Sequence, residues 1–406
     1  MKAKAKGRTF VVIGAGAMGR ITVRDLVETA PEGSTVVVAD HDEKAARAVA
    51  RAHTGKRVKI GAARVNARDP RQTARLLRDV DAFAVVTAVQ HQLNLSVMQA
   101  ALAAKAHYTD LGGLFHHTRR QLRQHAAWKR ADRLALLGMG AAPGVVNVLA
   151  RSAADTMEEV HEIHVLVGSV DRTEGRPSTA MGTSYSIQTI LEEASEDAAL
   201  FTGGRFTFVP AMSGAVEVVF PEPVGRKVPA CTIHSEVATL PLSYKKKGLR
   251  ECSFRIAFHE GLVEKLGFLR AIGLLSDQPL AAAGGLAPRD LLVTLLKRLP
   301  PAPRWDGVPD EYEVLRVIVR GVRGGAPVEE VVDCHTPGIP EWKLGVDVDT
   351  GCPPSIAVQM LARGEITARG CLPPEQAVPA EPFFRELERR RMTVRRMVAS
   401  PARAMV

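Results

Sequence analysis

The sequence predicts an α/β protein: a doubly wound parallel sheet of Rossmann type, followed by a second α+β domain built on a mostly antiparallel sheet. Three observations carry this. Residues 8–150 alternate short apolar runs with helix-patterned stretches, the grammar of strand–helix–strand crossovers. A glycine-rich turn directly follows the first apolar run. Beyond about residue 160 polar and apolar residues begin to alternate singly, the mark of strands with one wet face.

The elements follow in order. Residues 9–13 are wholly apolar, as a parallel strand covered on both faces requires. A helix is expected over 18–30 and a β-branched strand over 34–39. Asp42 can cap the next helix, its carboxylate accepting from free backbone N–H groups, while Ala45, Ala46, Ala48 and Val49 continue it. A third strand near 62–65 precedes a helix opening at Pro70, a residue that a first helical turn tolerates. A strand over 82–86, a helix over 94–104, a strand over 107–109, a helix from about Thr118, a strand over 133–137 and a helix after Pro143 complete a first domain of residues 1–150.

In the second domain, residues 151–350, the segment from Glu251 alternates polar and apolar side chains. Residues 313–320 and 328–334 flank Gly321, Gly324 and Gly325 and read as a hairpin. Helices are expected over 184–194 and 288–298. Residues 351–406 turn helical again at 355–363 and 382–391, and this tail is expected to pack back on the first domain.

Composition narrows the function classes. With 406 residues, 46% hydrophobic and 24% charged, the chain is an ordinary globular protein of two domains. Its most apolar stretch, 134–150, is broken by Pro143 and glycines and is too short to span a membrane. Lys2, Lys4 and Lys6 precede the first apolar run, but the glycine spacing there fits a strand–turn–helix rather than a signal peptide. The five cysteines are odd in number and widely spaced, with no CxxC pair. That reads against a disulfide framework and for a reducing cytoplasm. A net charge of +10 reads as a basic surface, because the densest basic run, 385–396, is interleaved with Glu386 and Glu388 and resembles a solvated helix. No nucleic-acid motif accompanies it, so no nucleic-acid partner is expected. His116 and His117 are adjacent rather than spaced as metal ligands are, so no metal site is expected.

The turn reads Gly14-Ala-Gly16-Ala17-Met18-Gly19. Gly14 permits the tight turn, Gly16 lets the backbone approach a pyrophosphate, and Gly19 allows close helix–strand packing. Ala17 and Met18 open the helix whose positive end takes the phosphates. Asp40 ends the second strand 21 residues after Gly19, where an acid meets ribose hydroxyls. A carboxylate there repels a 2′-phosphate, which favours NAD over NADP. Further cofactor contacts are expected where strands end: Ala88, Gln92 and Asn94 after the fourth, Gly112 after the fifth, and Pro143 and Asn147 in the 140–147 loop.

These residues give the chain a resemblance over nearly its whole length to the saccharopine dehydrogenase-like family, and within it to the lysine 6-dehydrogenase branch. The resemblance rests on the stretch ending at Gly19, on Asp110-Leu-Gly-Gly113, on Gly140-Ala-Ala-Pro-Gly-Val-Val-Asn147 and on His234-Ser-Glu236. It continues in 248–255, in Thr350-Gly-Cys-Pro353 and in Leu372-Pro-Pro-Glu375. Gln92, Asn94 and His117 carry the likeness to the branch. The resemblance implies an NAD(P)-dependent enzyme acting at a C–N bond on an amino-acid substrate, and a homodimer through the second sheet. The leading expectation is oxidative deamination of the ε-amine of L-lysine to the semialdehyde. One alternative is a saccharopine-type reductase joining an amine to an aldehyde or keto acid through a secondary amine. Another is a dinucleotide-binding scaffold without turnover.

Hydride leaves carbon only when the nitrogen has a free lone pair, so the site needs a group to take the ammonium proton. The candidates are Asp110, His117, Tyr185, His234 and Glu236. Asp110 is read either as the base or as a turn cap, and His117 as proton carrier or surface residue. Tyr185, at a helix start, is a donor to substrate. If 234–236 is extended, His234 and Glu236 share a face as a relay pair or a structural ion pair. Arg172, Arg176 and Lys245 are possible partners for a substrate carboxylate.

Overall fold

The computed structural model describes residues 7–53, 57–177, 181, 186–300, 303 and 305–399. The first domain is built from β1 (Thr9–Ile13), α1 (Ala17–Thr29), β2 (Thr35–Asp40), α2 (Glu43–Ala52), β3 (Lys59–Arg64), α3 (Pro70–Asp79) and β4 (Ala84–Thr87). It continues with α4 (Asn94–Ala103), β5 (His107–Asp110), α5 (Leu114–Leu122), α6 (His125–Arg130), β6 (Leu134–Leu136) and α7 (Val145–Ala154). The parallel sheet runs β6-β5-β4-β1-β2-β3, with strand Gly370–Leu372 added beside β6. The strand order reverses beside β1, where Val11 lies between Val37 and Val85. A crevice for a ligand opens at that point, past the carboxyl ends of the strands. Phe10, Val11 and Val12 are fully buried, which is why these strands carry no polar alternation.

Local chemistry sets the helix starts. The Asp42 carboxylate accepts from the N–H groups of Lys44 and Ala45, and Asp69 does the same for Arg71 and Gln72 ahead of Pro70. The helix expected from Thr118 begins earlier, at Leu114. Thr118 is buried and places its hydroxyl 3.1 Å from that of Ser235, an inward role rather than a cap.

The second sheet runs Thr393–Ala399, Ala326–Thr336, Glu311–Arg323, Glu159–Asp171, Glu251–Ile256, Ala198–Thr202, Arg205–Val209. Among the described residues of this sheet, only the pairing of Glu159–Asp171 with Glu251–Ile256 is parallel. Register places Leu315 opposite Val167 and Val167 opposite Ile256, and in the next row of the same face Val317, Val165 and Phe254. Glu313 lies opposite Ser169 on that face.

The tail serves both domains. Helix Val348–Ala362 packs on α1, where a Cβ on Gly351 would lie 2.5 Å from that of Ile21. Thr22 donates to the Gly351 carbonyl at 2.8 Å. The Arg390 guanidinium grips the buried Asp25 carboxylate at 2.6 and 2.8 Å. The basic run read as a helix is divided: helix Ala380–Glu388 ends, and strand Thr393–Ala399 joins the second sheet. There Arg395 sits opposite Asp333, and Arg396 meets Glu330 at 3.0 Å, so sheet pairing with acidic neighbours overrides the helical charge pattern. Among the described residues no helix is long and apolar enough to cross a membrane.

Candidate active site

The turn after β1 has the geometry a dinucleotide needs. Gly14 has φ +114°, and a Cβ there would sit 2.3 Å from the Ala88 carbonyl oxygen. A Cβ on Gly19 would lie 1.9 Å from the Gly14 oxygen, so α1 can press against β1 only with glycine at that position. A Cβ on Gly16 would meet no protein atom within 4 Å. Gly16 therefore keeps the approach to the α1 N-terminus clear, where N–H groups and the helix dipole favour phosphate. Asp40 lines the same cleft. Its carboxylate accepts from Ala15 N–H at 2.8 Å and Asp42 N–H at 2.9 Å, so it braces the glycine turn from within the cleft. Arg64, Asn66, Arg68 and Gln72 form the rim beyond it. These residues fit a nicotinamide dinucleotide.

The cleft, about 1370 Å³, runs from this turn past Ala17, Met18 and Ala88 to Gly112 and Pro143, and then to the face of the second sheet. Gly112 has φ +122°, and a Cβ on it would lie 2.8 Å from the Pro143 ring; the Ala142–Pro143 peptide is cis. Ser235 fastens the two domains here, accepting from Gly113 N–H at 3.3 Å.

Five expected site residues lie behind the cleft wall. Asp110 has no exposed surface. It accepts from Gln121 Nε2 at 2.6 Å, Gly138 N–H at 2.7 Å, the Tyr108 hydroxyl at 2.8 Å and Gly112 N–H at 2.9 Å. Burial pushes its pKa up against these bonds. With its acceptor sites engaged it positions the Gly112 turn and cannot reach a substrate amine. Asn94 donates to the Gly112 carbonyl at 3.0 Å, bracing that turn from outside the cleft. Asn147 accepts from Gly144 N–H and donates to Glu375, both at 2.9 Å, so its amide is spent on the α7 start. Gln92 points across to the second domain and donates to Glu192 at 2.8 Å; its neighbours Gln90 and His91 line the cleft instead. His117 stands behind His91, ring centroids 4.8 Å apart. Burial, and then the neighbouring His117, lower His91 to about 4. Tyr185 lies outside the described residues.

His234 and Glu236 do meet, although Glu236 opens helix Glu236–Tyr244 rather than continuing an extended run. His234 lines the cleft, stacked on Phe254 at 3.7 Å. Its Nδ1 lies 2.6 Å from Glu236 and its Nε2 3.5 Å from Glu193. Burial works against its charge, but the two carboxylates outweigh this and raise it to about 10. His234 is therefore an imidazolium at neutral pH. Glu236 is wholly buried behind it.

The remaining polar residues on the second-domain side escaped sequence reasoning. Glu193, Glu313, Asp347 and Asp349 line the cleft, with Lys297 as a cation on the same side. No local spacing announced them; they converge from a helix, a strand and the start of helix Val348–Ala362. The expected carboxylate partners lie elsewhere. Arg172 pairs with Asp310 at 2.8 Å and Arg176 with Glu311 at 2.5 Å, and Lys245 is exposed outside the cleft.

Residues 10–136 match the family described as saccharopine dehydrogenase NADP binding domain, and residues 140–392 match saccharopine dehydrogenase C-terminal domain. The chain belongs to the saccharopine dehydrogenase family. It is an NAD(P)-binding oxidoreductase acting on a CH–NH or CH–NH2 donor, an enzyme rather than a scaffold. A carboxynorspermidine synthase of Vibrio cholerae is 25% identical over 400 residues, covering 93% of this chain and 94% of that one. A carboxyaminopropylagmatine dehydrogenase of Synechocystis is 22% identical over 394 residues, with the same coverage. The fold matches apo saccharopine dehydrogenase (L-Glu forming) from Saccharomyces cerevisiae, with TM-score 0.71 at 14% identity over 97% of this chain and 100% of that one. The two family matches establish the family, and none of these three relatives carries the lysine 6-dehydrogenase name expected from Gln92, Asn94 and His117.

Proposed function

We propose that this enzyme joins an amine to an aldehyde or keto acid through a secondary amine, and that NAD(H) is its cofactor. One observation carries the reading. The cofactor cradle opens onto a wall bearing Glu193, Glu313, Asp347 and Asp349, a surface that gathers amines rather than anions. Relatives named for making a carboxylated polyamine and for oxidising an amine adduct, each matched over 93% of this chain, support the same class. The choice of NAD(H) is supported by Asp40, which ends β2 and lines the cleft beside the glycine turn, where a carboxylate would oppose a 2′-phosphate.

The chemistry divides between chain and cofactor. The amine nitrogen bonds to the carbonyl carbon and the oxygen departs as water, which requires a proton donor. His234, protonated and facing the cleft, fills that role, and Glu236 behind it restores the charge balance. A bound nicotinamide dinucleotide supplies the hydride to carbon. Gly112 and Pro143 shape the wall at this end of the cleft. The proposal includes a homodimer through the second sheet, checked by sedimentation.

A second reading, oxidation of the lysine ε-amine, draws on Lys297, a cation in the cleft suited to an amino-acid carboxylate. One assay separates the two. Consumption of NADH only when an amine and a carbonyl compound are both present supports the first. NAD reduction and ammonia release with lysine alone overturns it in favour of the second.

A further inference from the structure

We infer that His91 and Glu192 act as one proton acceptor for the substrate nitrogen, His91 receiving the proton in the cleft and Glu192 holding it from behind. The inference rests on the secondary-amine reading and names the group that serves its nitrogen while His234 serves its oxygen.

Proton balance creates the need. An ammonium and a carbonyl compound give an iminium and water: the C–N bond forms, the C=O bond breaks and no redox change occurs. Two protons leave nitrogen and two reach oxygen. One must go before the lone pair can attack, and His234, already an imidazolium at neutral pH, cannot take it. The pair takes this first proton and yields it to the departing oxygen. His234 gives the oxygen its other proton and is recharged by the second one from nitrogen. Both groups end as they began.

Geometry supplies the acceptor. His91 stands shortly after β4, at the carboxyl end of the parallel sheet, and lines the cleft with Ala88 and Gln90. Its Nε2 lies 3.6 Å from Glu192 Oε2, a buried oxygen with no hydrogen-bond partner. The other oxygen of that carboxylate is held by Gln92 at 2.8 Å and Gln188 at 3.2 Å. Glu192 and Glu193 are the last two residues of helix Ile187–Glu193. The first leans on His91 and the second reaches His234 Nε2 at 3.5 Å. One helix end therefore sets two histidines, one from each domain, at the same cleft.

Their charge states differ. Burial keeps His91 neutral, and His117 of α5 and Arg289 of helix Pro288–Leu296 add to this. Burial raises Glu192 to about 7 against its Gln188 bond. Glu196 and Glu193 add to the rise, and Arg289, 3.3 Å from Glu196, opposes it. Near neutrality His91 and Glu192 thus take up one proton between them, an uptake that belongs to the pair. It enters at His91, the member that lines the cleft. Titratable sites pushed apart in one cleft, here the pair and His234, divide into base and acid.

The test is the pH dependence of kcat/KM for NADH consumption with pyruvate and either lysine or 1,4-diaminobutane, in wild type, Glu192→Gln and His91→Ala, with carbon NMR titration of the Glu192 carboxyl in wild type. The carboxyl is expected to titrate near 7. Wild-type kcat/KM should be about tenfold lower at pH 6, where the pair already carries its proton, than at pH 8. Glu192→Gln should shrink that difference below about twofold. His91→Ala should lose about a hundredfold in kcat and regain part of it with added imidazole, which a merely structural loss would not. Both variants should bind NADH as wild type does in calorimetry. A wild-type profile flat between pH 6 and 8 overturns the inference, as does an acid limb that survives in Glu192→Gln or an unchanged kcat in His91→Ala. Failure of the underlying reading looks different: no mixture consumes NADH, yet Glu192 titrates near 7 and NAD reduction by lysine alone carries the same acid limb.

Discussion

Replacing Glu236 by glutamine leaves His234 stacked on Phe254 but removes the carboxylate 2.6 Å from its Nδ1. The effect can be worked from the histidine's titration. An imidazole raised from 6.5 to about 10 on folding stabilises the native state by roughly 4 kcal/mol at pH 7. The contribution is complete below about pH 6.5 and is lost as pH rises through 10, with only about 1 kcal/mol left at pH 9. Glu193, still 3.5 Å from Nε2, retains part of it. The expected loss in Glu236→Gln is therefore about 2–4 kcal/mol near neutrality, shrinking towards zero by about pH 11. Urea unfolding of both proteins at pH 6, 7.5 and 9.5, with NMR titration of His234, measures it. A deficit that does not change with pH, or a wild-type His234 titrating near 6.5, would refute the ion-pair reasoning.

Other residues give sharper contrasts. Gly16→Ala should fold normally and lose about tenfold or more in NAD affinity, whereas Gly19→Ala should lower the melting temperature, since its Cβ meets the Gly14 carbonyl at 1.9 Å. Equal stability of the two would show that the turn geometry is wrong. Asp110→Asn turns an amide toward four donors and should cost about 2–4 kcal/mol of stability. Its kcat in the folded temperature range should fall less than about tenfold; a loss of a hundredfold or more would restore Asp110 as the base. Arg390→Met strands the buried Asp25 carboxylate and should cost about 3–5 kcal/mol by chemical denaturation, and a change below about 1 kcal/mol would mean the tail is not anchored there. Asp40→Ala should narrow the preference for NADH over NADPH, as the ratio of kcat/KM values reads out; an unchanged ratio places discrimination with Arg64 or Arg68.

The β1–α1 turn, the alternation behind the parallel sheet, and the Asp42 and Pro70 helix starts were legible because each is decided by neighbours in the chain. Glycine spacing, side-chain reach to a free N–H and fixed proline geometry act over a few residues. Strand-end position also put Asp110, Asn94 and Asn147 near the cofactor, but only tertiary structure decided which way they point. Asp110 turns inward because Gly138, 28 residues away, presents an N–H to it, and Asn147 turns away toward Glu375 from the tail. The pairing of His234 with Glu193, the meeting of Glu313 with Asp349 and the seventh strand Gly370–Leu372 share that cause. Each joins segments far apart in sequence, and the burial that sets their charge state exists only once both domains and the tail have packed.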